Sequence, residues 1–136
     1  MALVGGGGAG NVAGSNPAGI GTLNFIGKHA YGYSGPITDG SGTGSASITV
    51  LEFDMPSNAY VVAKLNWISN LSGNSGRFIS IEQNSQKIYD GRYDDVAPAN
   101  TNFIDSILFE PSSHYVIKWG SNTGEIVTLT LVGEVY

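Results

Sequence analysis

The sequence predicts an all-β domain, an antiparallel β-sandwich or jelly roll of about eight strands with an extended N-terminal arm. Three observations predict it. Apolar residues recur at every second position in short runs rich in β-branched and aromatic side chains. Segments dense in Gly, Ser, Asn, Asp and Pro separate those runs at regular spacing. No stretch sustains a 3.6-residue apolar period with helix caps.

The arm comes first. Residues 1–27 contain no Asp, Glu, Lys or Arg, and the first 21 include eight glycines, in GGGGAG, AGSNPAG and IG. Glycine loses more backbone freedom on ordering than any other residue, so such a stretch gains order when another surface holds it. The chain therefore divides into a glycine-rich arm over 1–21 and a folded domain over 22–136. Leu3, Val4, Val12 and Ile20 are the arm's apolar anchors, expected to seat on a neighbouring subunit or partner.

Within the domain, residues 23–34 (LNFIGKHAYGYS) form the first run, with Ala30, Tyr31 and Tyr33 near its end. Residues 47–55 alternate, with Thr49, Leu51, Phe53 and Met55 on one face and Ile48 and Val50 on the other. Residues 60–68 set Val61, Ala63, Leu65 and Trp67 against Lys64 and Asn66. Residues 77–83 pair Ile79 with Ile81, and 86–89 continue that ribbon. Runs over 103–109 and 114–119 follow, the second with Tyr115, Ile117 and Trp119 on one side. Residues 125–136 alternate most clearly, directing Val127, Leu129, Leu131 and Val135 inward. The segments GPITDGSGTGS, MPSN, NLSGNSG, DGRYDDVAPAN, EPSS and GSNTG read as turns. Trp67 and Trp119 lie on apolar faces and read as core.

Composition narrows the function. A chain of 136 residues suits one domain and closes a core without covalent staples. The absence of cysteine excludes disulfides and thiolate zinc sites. Charged residues make up only 12%, which leaves little repulsion to oppose contact between subunits. The net charge is -5, and the six cations, Lys28, Lys64, Arg77, Lys87, Arg92 and Lys118, are scattered. Nucleic acid needs a basic stripe, and anionic membranes repel an acidic protein. No apolar run reaches the length of about 18 residues that a membrane helix needs. The first residues lack the charged and leucine-rich regions of a signal peptide, so any export or release is expected to take another route, such as cell lysis.

Motifs with chemical meaning are few. Gly5, Gly7 and Gly10 satisfy G-x-G-x-x-G, but that fingerprint needs a strand before it and a helix after it. His29 and His114 are the two imidazoles. Asp105 is near His114 in sequence, yet no nucleophile elbow accompanies them, and the chain reads as a non-enzyme without a cofactor. Glu82, Asp90, Asp94 and Asp95 gather acidity around YDGRYDD. Their spacing does not match an EF-hand and Arg92 sits among them, so a solvated loop without metal is expected. Asn70-Leu71-Ser72 fits a glycosylation sequon, unused without a signal peptide. Tyr89 and Tyr93 flank the acidic turn, and with Asp94 they form a candidate glycan or partner contact. Most aromatics in a sandwich of this size are instead core or interface residues.

Five stretches carry a resemblance: Asn16-Pro17-Ala18-Gly19, then residues 30–35 (AYGYSG), 51–64 (LEFDMPSNAYVVAK), 107–111 (ILFEP) and 133–136 (GEVY). Together they resemble the small jelly-roll structural proteins, capsid decoration or cement proteins among them, of tailed phages and marine viruses. The pieces are short but span nearly the whole chain. Two positions depart from that pattern: Phe109-Glu110 replaces an Ile-Pro pair, and Glu134 replaces a basic residue. The resemblance implies a virion protein on the capsid surface that binds the major capsid protein and itself, as a homotrimer, and stabilises the shell. A glycan-binding adhesin or tail- or fibre-associated virion protein is the alternative.

Overall fold

Strand formation follows the alternation, and the described residues build ten strands. The computed structural model describes residues 20–38, 46–69, 76–94, 102–121 and 126–136. The strands are β1 (Leu23–Ile26), β2 (His29–Tyr33), β3 (Ile37–Thr38), β4 (Ile48–Asp54), β5 (Val61–Ser69), β6 (Gly76–Gln83), β7 (Gln86–Asp94), β8 (Asn102–Phe109), β9 (His114–Ser121) and β10 (Ile126–Val135). Among the described residues there is no helix.

Two sheets result. One has the order β1-β2-β10-β5-β8, with β3 also beside β10; the other has the order β4-β9-β6-β7. Every pairing between these strands is antiparallel. Four of the pairs are nested in sequence: β6 with β7, β5 with β8 outside it, β4 with β9 outside that, and β2 with β10 outermost. Successive pairs fall in alternate sheets, so the chain crosses from one layer to the other at each step.

The inward side chains of both sheets meet in one core, and the protein is an all-β sandwich. Val61, Ala63, Leu65 and Trp67 come from β5, Val127, Leu129 and Leu131 from β10, Ile79 and Ile81 from β6, and Tyr115, Ile117 and Trp119 from β9. Trp67 and Trp119 meet across the layers with ring centroids 6.3 Å apart. Towards one end, Phe53, Phe109 and Tyr115 form a ring cluster, with Phe109 edge-on to Tyr115 at 4.7 Å. Geometry of this kind adds to the stabilisation from burial. The fully buried Tyr115 hydroxyl accepts the Glu110 N–H at 2.8 Å. Burial pushes the Tyr115 phenol above its ordinary value, and the bond from Glu110 opposes that shift.

The structure corrects the expected elements in four places. The run over 23–34 is a hairpin, turned at Gly27, whose φ of 60° lies where a side chain is disfavoured. A bulge between Thr49 and Leu51 breaks the alternation of β4. Val50 and Leu51 are consequently both buried, although alternation assigns them to opposite faces. Within GPITDGSGTGS, β3 resumes the pairing with β10 that β2 leaves off. Ser34 spans the gap: its N–H donates to the Leu129 carbonyl at 2.9 Å, and its Oγ accepts the Leu129 N–H at 2.9 Å. Finally, β7 runs to Asp94, so DGRYD is strand rather than turn. Full-length pairing with β6 places Ser80 opposite Asp90 and Phe78 opposite Arg92, and this tertiary partner outweighs the local turn propensity of Asp-Gly.

Candidate functional site

The chain enters the sandwich at Gly21, immediately before β1. Its N–H donates to the Val50 carbonyl at 2.9 Å, and its carbonyl accepts the Glu52 N–H at 3.0 Å. These bonds form a parallel bridge to Leu51 on the edge of β4. A β-carbon at residue 21 would lie 2.1 Å from the Tyr33 carbonyl oxygen and 2.7 Å from Leu51 Cδ2. Only glycine fits a backbone wedged so closely between β2 of one sheet and β4 of the other. The entry segment thus ties the two layers together at one side of the sandwich.

Of the predicted arm anchors, Ile20 is described, and it is exposed beside this mooring. Leu3, Val4 and Val12 lie outside the described residues, as do Gly5, Gly7, Gly10 and the sequon at Asn70. Tyr89 is half-buried and packs against the core from β7. Tyr93 and Asp94 are paired through their backbones with Arg77 and Gly76, and their side chains lie outside the described set. Asp95 does also.

The acidic residues near YDGRYDD are spread along a sheet. Asp90 pairs with Lys87 at 3.2 Å, and Glu82 pairs with Lys118 at 3.0 Å on the other side of β6. Among the described residues no group of three or more His, Asp or Glu is placed to hold a metal ion. The Asp105 side chain lies outside the described set, and His114 is engaged elsewhere. Its ring instead bridges β4, with Nδ1 2.7 Å from Asp54 and Nε2 2.8 Å from Glu52. Those bonds, to Asp54 first and Glu52 second, raise His114 above its ordinary value.

The two outer faces of the sandwich differ in kind. The outer face of the β4-β9-β6-β7 sheet carries the ion pairs above, together with Arg92, whose guanidinium lies 5.4 Å over the Phe78 ring. The outer face of the other sheet carries exposed apolar side chains: Tyr31, Val62, Ile68, Leu108 and Val132. Among them is a shallow depression of about 250 Å³, lined by Val62, Val132, Ser106, His29, Lys64 and Glu134. Alternation contained this face already, as the outward partners of the core positions, but polar neighbours such as Lys64 and Asn66 concealed its continuity across strands. Sequence reasoning also missed the burial of Arg77, which shares the inward parity of Ile79 and Ile81 and is 1% exposed. The charge itself points outward by rule; the parity was the available signal.

The fold defines the chain as an antiparallel β-sandwich protein. No family model matches the sequence, and no curated protein matches it. Among solved structures the chain is similar to the insecticidal delta-endotoxin Cry8Ea1 of Bacillus thuringiensis, at 13% identity and a TM-score of 0.44. The match covers 75% of this chain and 20% of the toxin chain, so the chain spans about one fifth of that protein.

Proposed function

We propose that the sandwich is a jelly roll and that the chain is a virion structural protein, a capsid decoration protein that binds the major capsid protein shell, as a trimer, and stabilises it. The nested pairing in alternate sheets supports the first part, since rolling one long antiparallel ribbon into two layers gives that order. The resemblance over 16–19, 30–35, 51–64, 107–111 and 133–136 supports the second.

The observation that carries the attachment reading is the mooring of Gly21. It sits two residues before β1, the edge strand of the sheet whose outer face carries the exposed apolar side chains Tyr31, Val62, Leu108 and Val132. The arm is thereby launched from a fixed point beside a face suited to protein contact. Attachment works by contact area, and repetition over many symmetry-related copies multiplies a modest single-site affinity. The glycan alternative has less support, because the Tyr89 ring is packed against the core rather than presented as a platform.

Deletion of residues 1–19 tests the reading. The shortened protein is expected to keep its β-sheet circular dichroism and its cooperative unfolding, and to lose binding to purified shells in co-sedimentation. Undiminished shell binding by the shortened protein would refute attachment through the arm.

A further inference from the structure

Cross-strand registers build a checkerboard on the outer face of the β1-β2-β10-β5-β8 sheet. Glu134 of β10 lies opposite Val62 of β5, and Val132 lies opposite Lys64. The two valines therefore occupy one diagonal of a four-residue square, and the two charges occupy the other. Diagonal neighbours across a sheet stand about 7–8 Å apart. Two further residues flank the square: His29 of β2, directly opposite Glu134, and Ser106 of β8, beside Lys64. Ser106 reaches that place through a bulge. The register of β5 with β8 steps from Ala63 opposite Ile107 to Leu65 opposite Ile104, so both Asp105 and Ser106 stand opposite Lys64. Ser106 holds a φ of 60° there, a backbone region that serine adopts at a cost and that recurs where a fold clamps a ligand. The square and its two flanking residues line the depression of about 250 Å³.

The chemistry of this lining selects the ligand. An ammonium group such as that of Lys64 only donates hydrogen bonds, the Glu134 carboxylate only accepts them, and the Ser106 hydroxyl does both. The charges of Lys64 and Glu134 cancel, so an anion or a cation meets a like charge on the diagonal. A zwitterion carries its two charges on neighbouring groups, whereas Lys64 and Glu134 are separated by the whole diagonal. A polyol fits both corners without net charge, since every hydroxyl both donates and accepts. The valine diagonal calls for an apolar surface between those hydroxyls, and the C–H face of a pyranose ring provides one. Tyr31, opposite Val132 on β2 and 37% exposed, stands beside the depression and extends that floor with an aromatic ring. Size agrees. Pockets for drug-sized ligands begin at about 300 Å³, and the smaller volume here suits one sugar ring. Because the depression lies on an outer sheet face, the rest of a longer glycan continues into solvent.

We infer that this depression binds the terminal neutral hexopyranose of a glycan, with Lys64 and Glu134 holding hydroxyls on opposite sides of the ring and Val62 and Val132 carrying its C–H face. The site is in the other sheet from Tyr89 and Tyr93, and it does not rest on shell binding through the arm.

Amide NMR of the isotopically labelled full chain, titrated with the methyl glycosides of glucose, galactose and mannose, tests it. At least one glycoside is expected to give saturable shifts at Val62, Lys64, Ser106, Val132 and Glu134, with a Kd of about 1–10 mM for a ligand of this size. Glu134→Gln and Lys64→Gln are each expected to weaken binding by at least about fivefold with unchanged circular dichroism, while Asp90→Asn on the other sheet leaves it intact. Ser106→Gly is expected to raise the Tm, by releasing the strained φ, and yet to lower the affinity. Absence of saturable shifts with all three glycosides up to about 100 mM overturns the inference, as does full affinity in both Glu134→Gln and Lys64→Gln. Saturable shifts that gather on β7 around Tyr89 overturn this site in favour of that one. Binding of alanine or N-acetylneuraminate, a zwitterion and an anion, in place of the neutral glycosides overturns the ligand class. Shell co-sedimentation is a separate readout, so this inference and the decoration reading fail independently.

Discussion

His114 Nδ1 lies 2.7 Å from Asp54 Oδ1, joining the first residue of β9 to the last residue of β4. The same ring reaches Glu52 at 2.8 Å, so a protonated imidazole satisfies two carboxylates at once. Glu52 also donates its N–H to Gly21. One residue of β4 therefore touches both the histidine and the point where the arm is moored.

The pH dependence follows from that arrangement. The bonds to Asp54 and Glu52 raise the folded-state pKa of His114 above 6.5. A raised value means that the stabilisation is complete below the unfolded value of about 6.5 and is lost as pH rises through the folded value. His114→Gln is expected to lower the Tm at pH values below about 6 and to converge with the parent above the folded pKa. Solvent screening of this partly exposed cluster keeps the difference small. Thermal unfolding from about pH 5 to 9 and an NMR titration of the ring measure it.

The turn between β6 and β7 offers a stabilising change. Gln83 pairs with Gln86, and the two residues between them, Asn84 and Ser85, have φ of 51° and 69°. Two-residue hairpins with positive φ at both central positions favour Asn followed by Gly. Ser85→Gly is expected to raise unfolding stability by roughly 0.5–1 kcal/mol in urea titration.

The mooring has no room for a side chain. Gly21→Ala would bring a methyl group within 2.1 Å of the Tyr33 carbonyl and is expected to cost about 1–3 kcal/mol. Hydrogen exchange at the Glu52 amide, whose acceptor is the Gly21 carbonyl, should accelerate, while the amides of β5 and β10 remain protected. Uniform loss of protection would show that the entry segment is integral to the whole sandwich.

The ring cluster separates packing from hydrogen bonding. Phe109→Ala removes a fully buried ring that contacts both Phe53 and Tyr115 and is expected to cost about 3–5 kcal/mol. Tyr115→Phe keeps the ring but leaves the Glu110 N–H without its acceptor, at an expected cost of about 1–2 kcal/mol. Denaturant unfolding ranks the two variants.

Much of the fold was legible in the sequence because alternation reports burial directly. Val61, Ala63, Leu65 and Trp67, and likewise Val127, Leu129 and Leu131, are inward as their spacing requires. What was not legible depended on partners remote in sequence. Asp-Gly at 90–91 looks like a turn until β6 pairs with it from across the hairpin, and Val50 looks outward until the pairing with β9 shifts register at a bulge. The candidate site was less accessible still. Val62, Val132 and Leu108 become neighbours only through the registers of β5 with β10 and of β5 with β8. His114 was visible as an imidazole, but its carboxylates, sixty and sixty-two residues earlier, were not the nearby one.

The outermost nested pair has a consequence for biosynthesis. β10 lies between β2 and β5, yet it emerges from the ribosome after every strand that it joins. Until then the nascent chain holds β2 and β5 with open edges, which invite wrong partners. Loop closure over such separations is slow. A polypeptide interrupted before Ile126 is thus not a smaller version of this domain: it has every strand of the β4-β9-β6-β7 sheet but leaves the other sheet split into β1-β2 and β5-β8, and quality control should treat it as misfolded from the outset.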